Sequence, residues 1–401
     1  VSIPYPERLY YADPYLTEFE ARVVEHLRWD EHPAVVLDRS AFYPTSGGQP
    51  SDRGYLCGIP VIGVEVREAD DSIIHVLEDN LEAEQGIGKV EWERRFDHMQ
   101  QHTGQHILSA ACEQLLNAET VSFHLGSEMC TIDLDKSRIP SESMAPVEAM
   151  VNEVIWEDRN VTSRFAAPSE VEGLDLCNPP VLDGPIRLVE VAGFDVNPCG
   201  GTHVARTGEI GFLKIIRLDY RGDETRVEFL CGARALRDYG RKNEILLQLA
   251  SRLTVGYWEI DDAVTRLQQE LKTTQRELKA VRARALKSEA DRCIDGAISV
   301  GEVHVVRAVW ESRDPGELRA LAQGIIAQPG MIAMLASLGE RTHICIATTE
   351  GLDSDAASLL QIACEQLGGK GGGQTHMAQG SAPAVDKTAV EDTFDRLVAS
   401  L

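Results

Sequence analysis

The chain has 401 residues, 43% of them apolar and 26% charged, a balance that belongs to folded globular domains and supplies enough apolar side chains for several cores. Its net charge of −25 argues against binding nucleic acid through the whole surface, so any RNA contact must come from a local basic patch. No apolar run approaches a bilayer span, the first residues are polar and acidic rather than a signal peptide, and the 9 cysteines lack regular spacing, so a reduced, cytoplasmic protein with no membrane segment is expected.

Taken in chain order, residues 1–97 carry short apolar stretches bounded by turn residues: ARVVEHLRW, PAVVLDRSAFYP, VIGVEVREA and SIIHVLED. They predict a small β-barrel. Between them lies FYPTSGGQPSDRGYL, where Gly47 and Gly48 give a tight turn and Asp52 can bond nearby backbone. At Asp97, a candidate N-cap, the pattern changes to a helix over His98 to Leu116, with Ile107, Leu108, Ala111 and Leu115 on its apolar side. Strand-like segments TVSFHLG, CTIDLD, IRLVEVAG and GFLKIIRLDYRGDETRVEFLCG follow, interrupted by a second helix from about Ser143 to Asp158. Residues 98–232 are therefore expected to form an α+β domain.

Residues 233–295 read as helical. Val264, Leu267, Leu271, Leu278, Val281 and Ala285 recur at alternating spacings of three and four, the pattern of a two-stranded seam. The preceding helix, from Ala235 to Leu253, is its favoured partner in a hairpin, and a second subunit is the alternative. Residues 296–401 alternate strand candidates VHVVRAVW, MIAMLASLG and THICIATT with helices around 316–327 and 354–367, a small α/β domain. Near its end GGKGGGQTHMAQGSAP reads as a glycine loop, and no Ser or Thr follows Lys370 as a Walker phosphate loop requires. The expected fold class is thus α+β and multidomain.

Two phrases carry chemistry. His102-Thr-Gly-Gln-His106 places two imidazoles four apart, on one helix face. Cys199-Gly-Gly-Thr-His203 repeats the spacing with a thiol in a glycine turn. Three imidazoles and a thiolate are a donor set for one zinc ion. His98, four residues before His102, extends the helical row. Four protein donors fill a tetrahedron and favour a structural ion, whereas the preponderance of histidine favours a catalytic one. Spacing leaves both open.

HTGQHILS followed by CGGTH resembles the editing domain of alanyl-tRNA synthetase. FYPTSGGQPSDRG resembles the glycine-rich motif of the barrel before that domain, and the helical hairpin with GGKGGGQTHMAQG resembles the synthetase's C-terminal DHH-associated domain. The resemblance covers nearly the whole chain in the same order, and the opening LYYADPYLTEFEARVVE is similar to that of the long free-standing editing proteins. No segment upstream of the barrel resembles an aminoacylation domain.

That resemblance implies a trans-editing hydrolase, an aminoacyl-tRNA deacylase that removes serine, and also glycine, from tRNA for alanine. A site built for alanine rejects a smaller glycine or an added hydroxyl poorly by binding alone, so a second, hydrolytic site is needed. It implies His102, His106, Cys199 and His203 as ligands of one Zn2+. It places substrate contacts at Ser122 and His124, after the His helix, and at Gly47, Gly48 and Gln49 of the glycine motif. Lys214, Arg217, Arg221 and Arg226 cluster on the last strands of the editing domain as candidates for tRNA phosphates. Gln374, Thr375 and His376 depart from the arginine, proline and aspartate common in the C-terminal glycine loop, which puts that loop's tRNA contact in doubt; a homodimer through this domain is the other partner implied. Asp195, near Cys199, reads first as a turn former, and no general base stands out. The competing reading is a non-catalytic tRNA-binding protein with a structural zinc. A zinc peptidase lacks support, since no glutamate stands within the His pair.

Overall fold

A computed structural model describes residues 7–171 and 186–401, which fall into two compact units, 1–249 and 250–401. The first six residues and Cys177 lie outside the described residues; the other eight cysteines are free thiols. No helix among the described residues is long and apolar enough to cross a membrane.

In the first unit, six strands close into a barrel: β1 (Glu18–Trp29), β2 (His32–Leu37), β3 (Gly54–Leu56), β4 (Ile59–Arg67), β5 (Ser72–Leu77) and β6 (Gln85–Val90), in the order β1-β2-β5-β4-β3-β6. Every ladder of the barrel is antiparallel, and β1 serves both β2 and β6 along its 12 residues. Phe19, Val35, Leu37, Phe42, Leu56, Val64 and Ile73 fill its interior. The segment after β2 leaves the barrel and turns tightly at Ser46 to Gln49, where backbone bonds run both ways at 3.2 and 2.9 Å.

Helix α1 spans Trp92–Leu116, beginning well before Asp97. Glu91 stands at its N-cap, and Asp97 is a mid-helix residue whose carboxylate accepts from Arg234 Nε at 2.8 Å. The dense charge in Glu91–Asp97 hides the helix start because its first turns are held by ion pairs and ring stacking rather than by apolar burial. Arg95 is fully buried and donates to both carboxylate oxygens of Asp52 at 3.0 Å and to Pro14 O at 2.8 Å. Asp52 Oδ2 also accepts from Tyr43 N at 2.6 Å.

Around α1 are packed β7 (Thr120–Leu125), β8 (Cys130–Leu134), α2 (Met144–Trp156), β9 (Val161–Ala166), β10 (Ile186–Val191), β11 (Asp195–Pro198), β12 (Leu213–Arg221) and β13 (Glu224–Cys231). They make a four-stranded sheet, β12-β13-β8-β7, and a three-stranded one, β9-β10-β11. Met99, Ile107, Leu108, Val147, Val151, Ile132 and Phe229 are among the buried residues of their shared core. α3 (Gly232–Leu253) follows β13.

The second unit contains α4 (Ile260–Asp295), a 36-residue helix, and a six-stranded sheet, β14-β15-β16-β17-β19-β18. Its strands are β14 (Ile298–Val300), β15 (Val303–Glu311), β16 (Met331–Leu338), β17 (Arg341–Thr348), β18 (Lys370–Gln374) and β19 (Met377–Pro383). Only β15 and β16 pair in parallel, with α5 (Pro315–Ile325) as the crossover; α6 (Ala356–Gln366) and α7 (Lys387–Ala399) complete the layers. Asp314, Asp355 and Asp386 cap α5, α6 and α7 through their side chains. The glycine run around Lys370, expected to be a loop, is instead the edge strand β18. Its glycines allow a close approach to β19: a Cβ on Gly373 would lie 2.4 Å from Ala378 Cα. The seam positions Leu267, Leu271, Leu278 and Val281 are exposed along α4.

Candidate metal centre and its cavity

The two phrases meet. His102 and His106 project from the same face of α1, and the turn after β11 brings Cys199 and His203 against them, so that donor atoms of all four residues lie within 4.8 Å of one another. Cys199 Sγ lies 3.4 Å from His102 Nε2 and 3.2 Å from His203 Nε2. Donors at ordinary zinc bond lengths in a tetrahedron stand about 3.5 Å apart, so the spacing fits one shared ion. Cys199 is half-buried and the three histidines are buried.

Each imidazole is fixed by a partner on its far nitrogen. An amide oxygen can only accept, so Gln49 Oε1, 2.8 Å from His102 Nδ1, requires the proton there and leaves Nε2 free to ligate. Gln49 itself is clamped by Thr202, donating to its Oγ1 at 2.9 Å and accepting from its backbone N–H at 3.2 Å. Asp195 Oδ2 lies 3.4 Å from His106 Nδ1 and fixes that ring in the same sense. Thr103 donates its hydroxyl to Met99 O at 2.9 Å, so its oxygen accepts from His203 Nδ1 at 3.2 Å. The Cys-His turn is held from β10 by Arg187, whose Nη1 donates to Cys199 O at 2.8 Å and Gly201 O at 2.9 Å while the guanidinium lies over the Tyr11 ring.

Charge within the cluster suits a cation. Burial raises the Cys199 thiol, but the His102 and His203 imidazoles outweigh it and hold the thiol well below its ordinary value. Burial pushes His203 down to about 3. Burial opposes protonation of His106 too, yet the Asp195 carboxylate and Cys199 override it and push that imidazole up to about 10. A borderline cation seated among these donors displaces that proton.

The cluster forms one side of a cavity of about 310 Å3. Tyr43, Ser46 and Gly47, from the segment after β2, form a wall, Gln105 and Ser109 of α1 a second, and Thr120 and Phe123 of β7 a third. The glycine motif reaches this cavity through Gly47 at the wall and Gln49 behind His102. Gly48 O accepts from Leu125 N at 3.1 Å and ties the motif to β7.

Ser122 and His124 are not among the residues lining this cavity. The β7–β8 register shifts between Asp133 and Leu134, pairing them with Ser122 and Thr120 and leaving Val121 as the extra residue of a bulge. The bulge puts Thr120 on the face of Phe123, and both line the cavity; Ser122, on the opposite face by ordinary alternation, donates to Asp133 at 2.7 Å. His98 does not join the donors; it lines a separate cavity, and burial pushes its imidazole down to about 3. Lys214, Arg217, Arg221 and Arg226 are each paired with a carboxylate, Glu148, Glu228, Asp219 and Asp133 respectively, so their outward field is small. Arg187, Thr103, Gln105 and Ser109 were not singled out in the sequence, although 102, 105, 106 and 109 fall on one helical stripe that marks the last two.

Gly201 is required by contact. A Cβ there would sit 2.1 Å from His102 Cε1 and 3.0 Å from Gln49 Oε1. Gly201→Ala is therefore expected to push His102 off its donor position and lower metal affinity by about 10–100-fold, the range for disturbed metal-ligand orientation. Metal content after dialysis against graded chelator checks this; retention equal to the parent protein contradicts it.

The family of threonyl and alanyl tRNA synthetase second additional domains matches residues 186–227, which include the Cys-His turn. The chain is 30% identical to the alanyl-tRNA editing protein AlaX-L of Pyrococcus horikoshii over 98% of its own length and 99% of that protein's. It is 30% identical to the alanine–tRNA ligase of Pyrococcus abyssi over 96% of its length, spanning 43% of the ligase. It is 29% identical to the alanyl-tRNA editing protein Aarsd1-A of Xenopus laevis, covering 92% of this chain and 89% of that one. Among solved structures, the C-Ala domain of Aquifex aeolicus alanyl-tRNA synthetase aligns with 26% of the chain at 24% identity and a TM-score of 0.24, too loose a superposition to support an inference. Matched along essentially its whole length to AlaX-L, the chain belongs to the alanyl-tRNA editing protein family.

Proposed function

We propose that this chain is a zinc-dependent aminoacyl-tRNA deacylase that acts in trans, hydrolysing the ester between a wrongly attached serine, and also glycine, and the tRNA for alanine. The observation that carries this reading is the convergence of His102, His106, Cys199 and His203 on the wall of a cavity sized for a small aminoacyl group. Zinc held by these four residues supplies a Lewis acid for the ester or the attacking water. The chain's own residues do the rest: Gln49, Thr103 and Asp195 orient the imidazoles, Arg187 holds the turn, and Tyr43, Ser46 and Gly47 wall one side of the cavity.

Selection among small amino acids is assigned here to Gln105. Its Nε2 donates to Ser109 Oγ at 2.9 Å, and Thr120 donates to the same oxygen at 2.7 Å. Gln105 Oε1 is buried with no partner among the described residues. A serine hydroxyl donating to that oxygen satisfies it, whereas alanine and glycine leave it unmade, and a buried acceptor left unmade costs about 1–3 kcal/mol. Serine is thus the preferred substrate. Gln105→Leu is expected to slow serine removal roughly tenfold while leaving glycine removal within about twofold. Equal losses for both would assign Gln105 to a part of the substrate they share.

The reading as a whole is tested by incubating Ser-, Gly- and Ala-charged tRNA for alanine side by side with the purified protein. Serine is released fastest and alanine is spared; intact serine ester under all conditions removes the proposal. The closed four-donor set favours one rival, a non-catalytic tRNA-binding protein with structural zinc, which predicts tRNA binding without turnover.

A further inference from the structure

A second cavity, of about 540 Å3, opens where the start of α1 meets the start of α3. Trp92, Arg94, Asp97, His98, Arg234 and Arg237 are among its lining residues. The polar groups here are unequally committed. Asp97 is taken by Arg234, which holds both its carboxylate oxygens. Arg94 uses Nε on Ser51 O at 2.9 Å, and its two Nη groups have no partner among the described residues. Arg237 is exposed and likewise unpaired among the described residues. Burial first, and then the nearby charge of Arg53, disfavour the protonated form of Arg94, while the carboxylates of Asp52 and Glu91 favour it. His98 is 1% exposed, and its Nδ1 is buried without a partner. Trp92 stacks on Phe96 at 5.2 Å and leaves 36% of its surface open beside these cations.

A cavity that combines spare guanidinium donors, an unsatisfied buried imidazole nitrogen and an open aromatic ring matches a phosphate with its attached ribose. Guanidinium forks pair with phosphate oxygens, and aromatic rings accept the sugar or base beside them. The last strands of the α+β layer differ: Lys214, Arg217, Arg221 and Arg226 each stand in an ion pair, whereas Arg94 and Arg237 have none among the described residues, with Glu91 and Glu93 the further carboxylates on the cavity wall. We infer that this cavity is a phosphate-binding site for the tRNA backbone, with Arg94 and Arg237 as its donors. The choice of RNA as the source of the phosphate rests on the proposed action on tRNA.

The test is binding of uncharged tRNA for alanine, followed by fluorescence anisotropy across a salt series, for the parent protein, Arg237→Met, and Arg94→Met with Arg237→Met. Each lost phosphate contact should shrink the log–log salt slope by about 0.7–0.9, and the double variant should bind roughly 10–100-fold more weakly at low salt. Arg237 is exposed, so the single variant isolates the charge from any effect of losing the Arg94–Ser51 contact; its slope should fall by about one contact. Unchanged slope and affinity in both variants overturn the site. So does a result in which inorganic pyrophosphate quenches Trp92 fluorescence while tRNA affinity is insensitive to both substitutions, because that marks a site for a free phosphate compound. Loss of slope in a protein that leaves the serine ester intact keeps the phosphate site and removes the deacylase reading, so the two failures are distinguishable.

Discussion

Cys199→Ala is expected to abolish bound metal and to slow removal of serine from tRNA for alanine by more than about 100-fold, while leaving the fold in place. Loss of even an outer partner of a metal ligand costs about 10–100-fold, and Cys199 is the one anionic sulfur donor in the set. The expectation that the fold survives comes from the packing behind the site. Met99, Ile107, Leu108, Ala111 and Cys112 of α1 are all fully buried against the sheets and α2, so the helix that carries the His pair is anchored by apolar contact. Burying one such large side chain contributes about 1.5–3 kcal/mol, and several act together here. A melting midpoint within a few degrees of the parent, with activity gone, supports a working metal. A protein that unfolds on losing Cys199 favours the structural-zinc alternative.

The second large effect is on stability. Asp52→Ala is expected to destabilise the first unit by about 3–5 kcal/mol, because it leaves Arg95 as a buried charge without its counterion. Both side chains are fully buried, and the pair joins the barrel segment after β2 to the first turns of α1. That same segment continues back to Gln49, whose amide sets the His102 tautomer. Loss of the pair should therefore also loosen metal binding at a distance. Urea unfolding measures the first effect and metal content the second. A double variant, Asp52→Leu with Arg95→Met, should recover much of the lost stability, because no uncompensated charge remains. A cost below about 1 kcal/mol for Asp52→Ala contradicts the account.

What could be seen in the sequence follows from range. His102 and His106 were legible because four residues along a helix return to the same face, and Cys199 and His203 because a glycine turn repeats that spacing. The strands of the barrel segment were legible from short apolar runs between turn residues. Partners set by register were not. The bulge at Val121 brings Thr120 onto the face of Phe123 at the cavity, and no local pattern announces it. The carboxylates that silence Arg217 and Arg226 lie across neighbouring strands, at Glu228 and Asp133. Asp195 reads as a turn residue until β11 is placed beside α1, where it becomes the partner of His106. Asp97 reads as a helix start because the apolar period begins after it, and its role as the partner of Arg234, 137 residues away, has no local signature.

The cluster of His102, His106, Cys199 and His203 is proposed to serve hydrolysis of a mischarged tRNA. Its decisive test is the rate of serine release from Ser-charged tRNA for alanine by one protein preparation as purified, after exhaustive chelation, and after zinc is restored. A catalytic zinc gives release, then loss of release with the fold intact, then recovery on adding zinc. Undiminished release from the metal-free protein, or none at any stage, would contradict it.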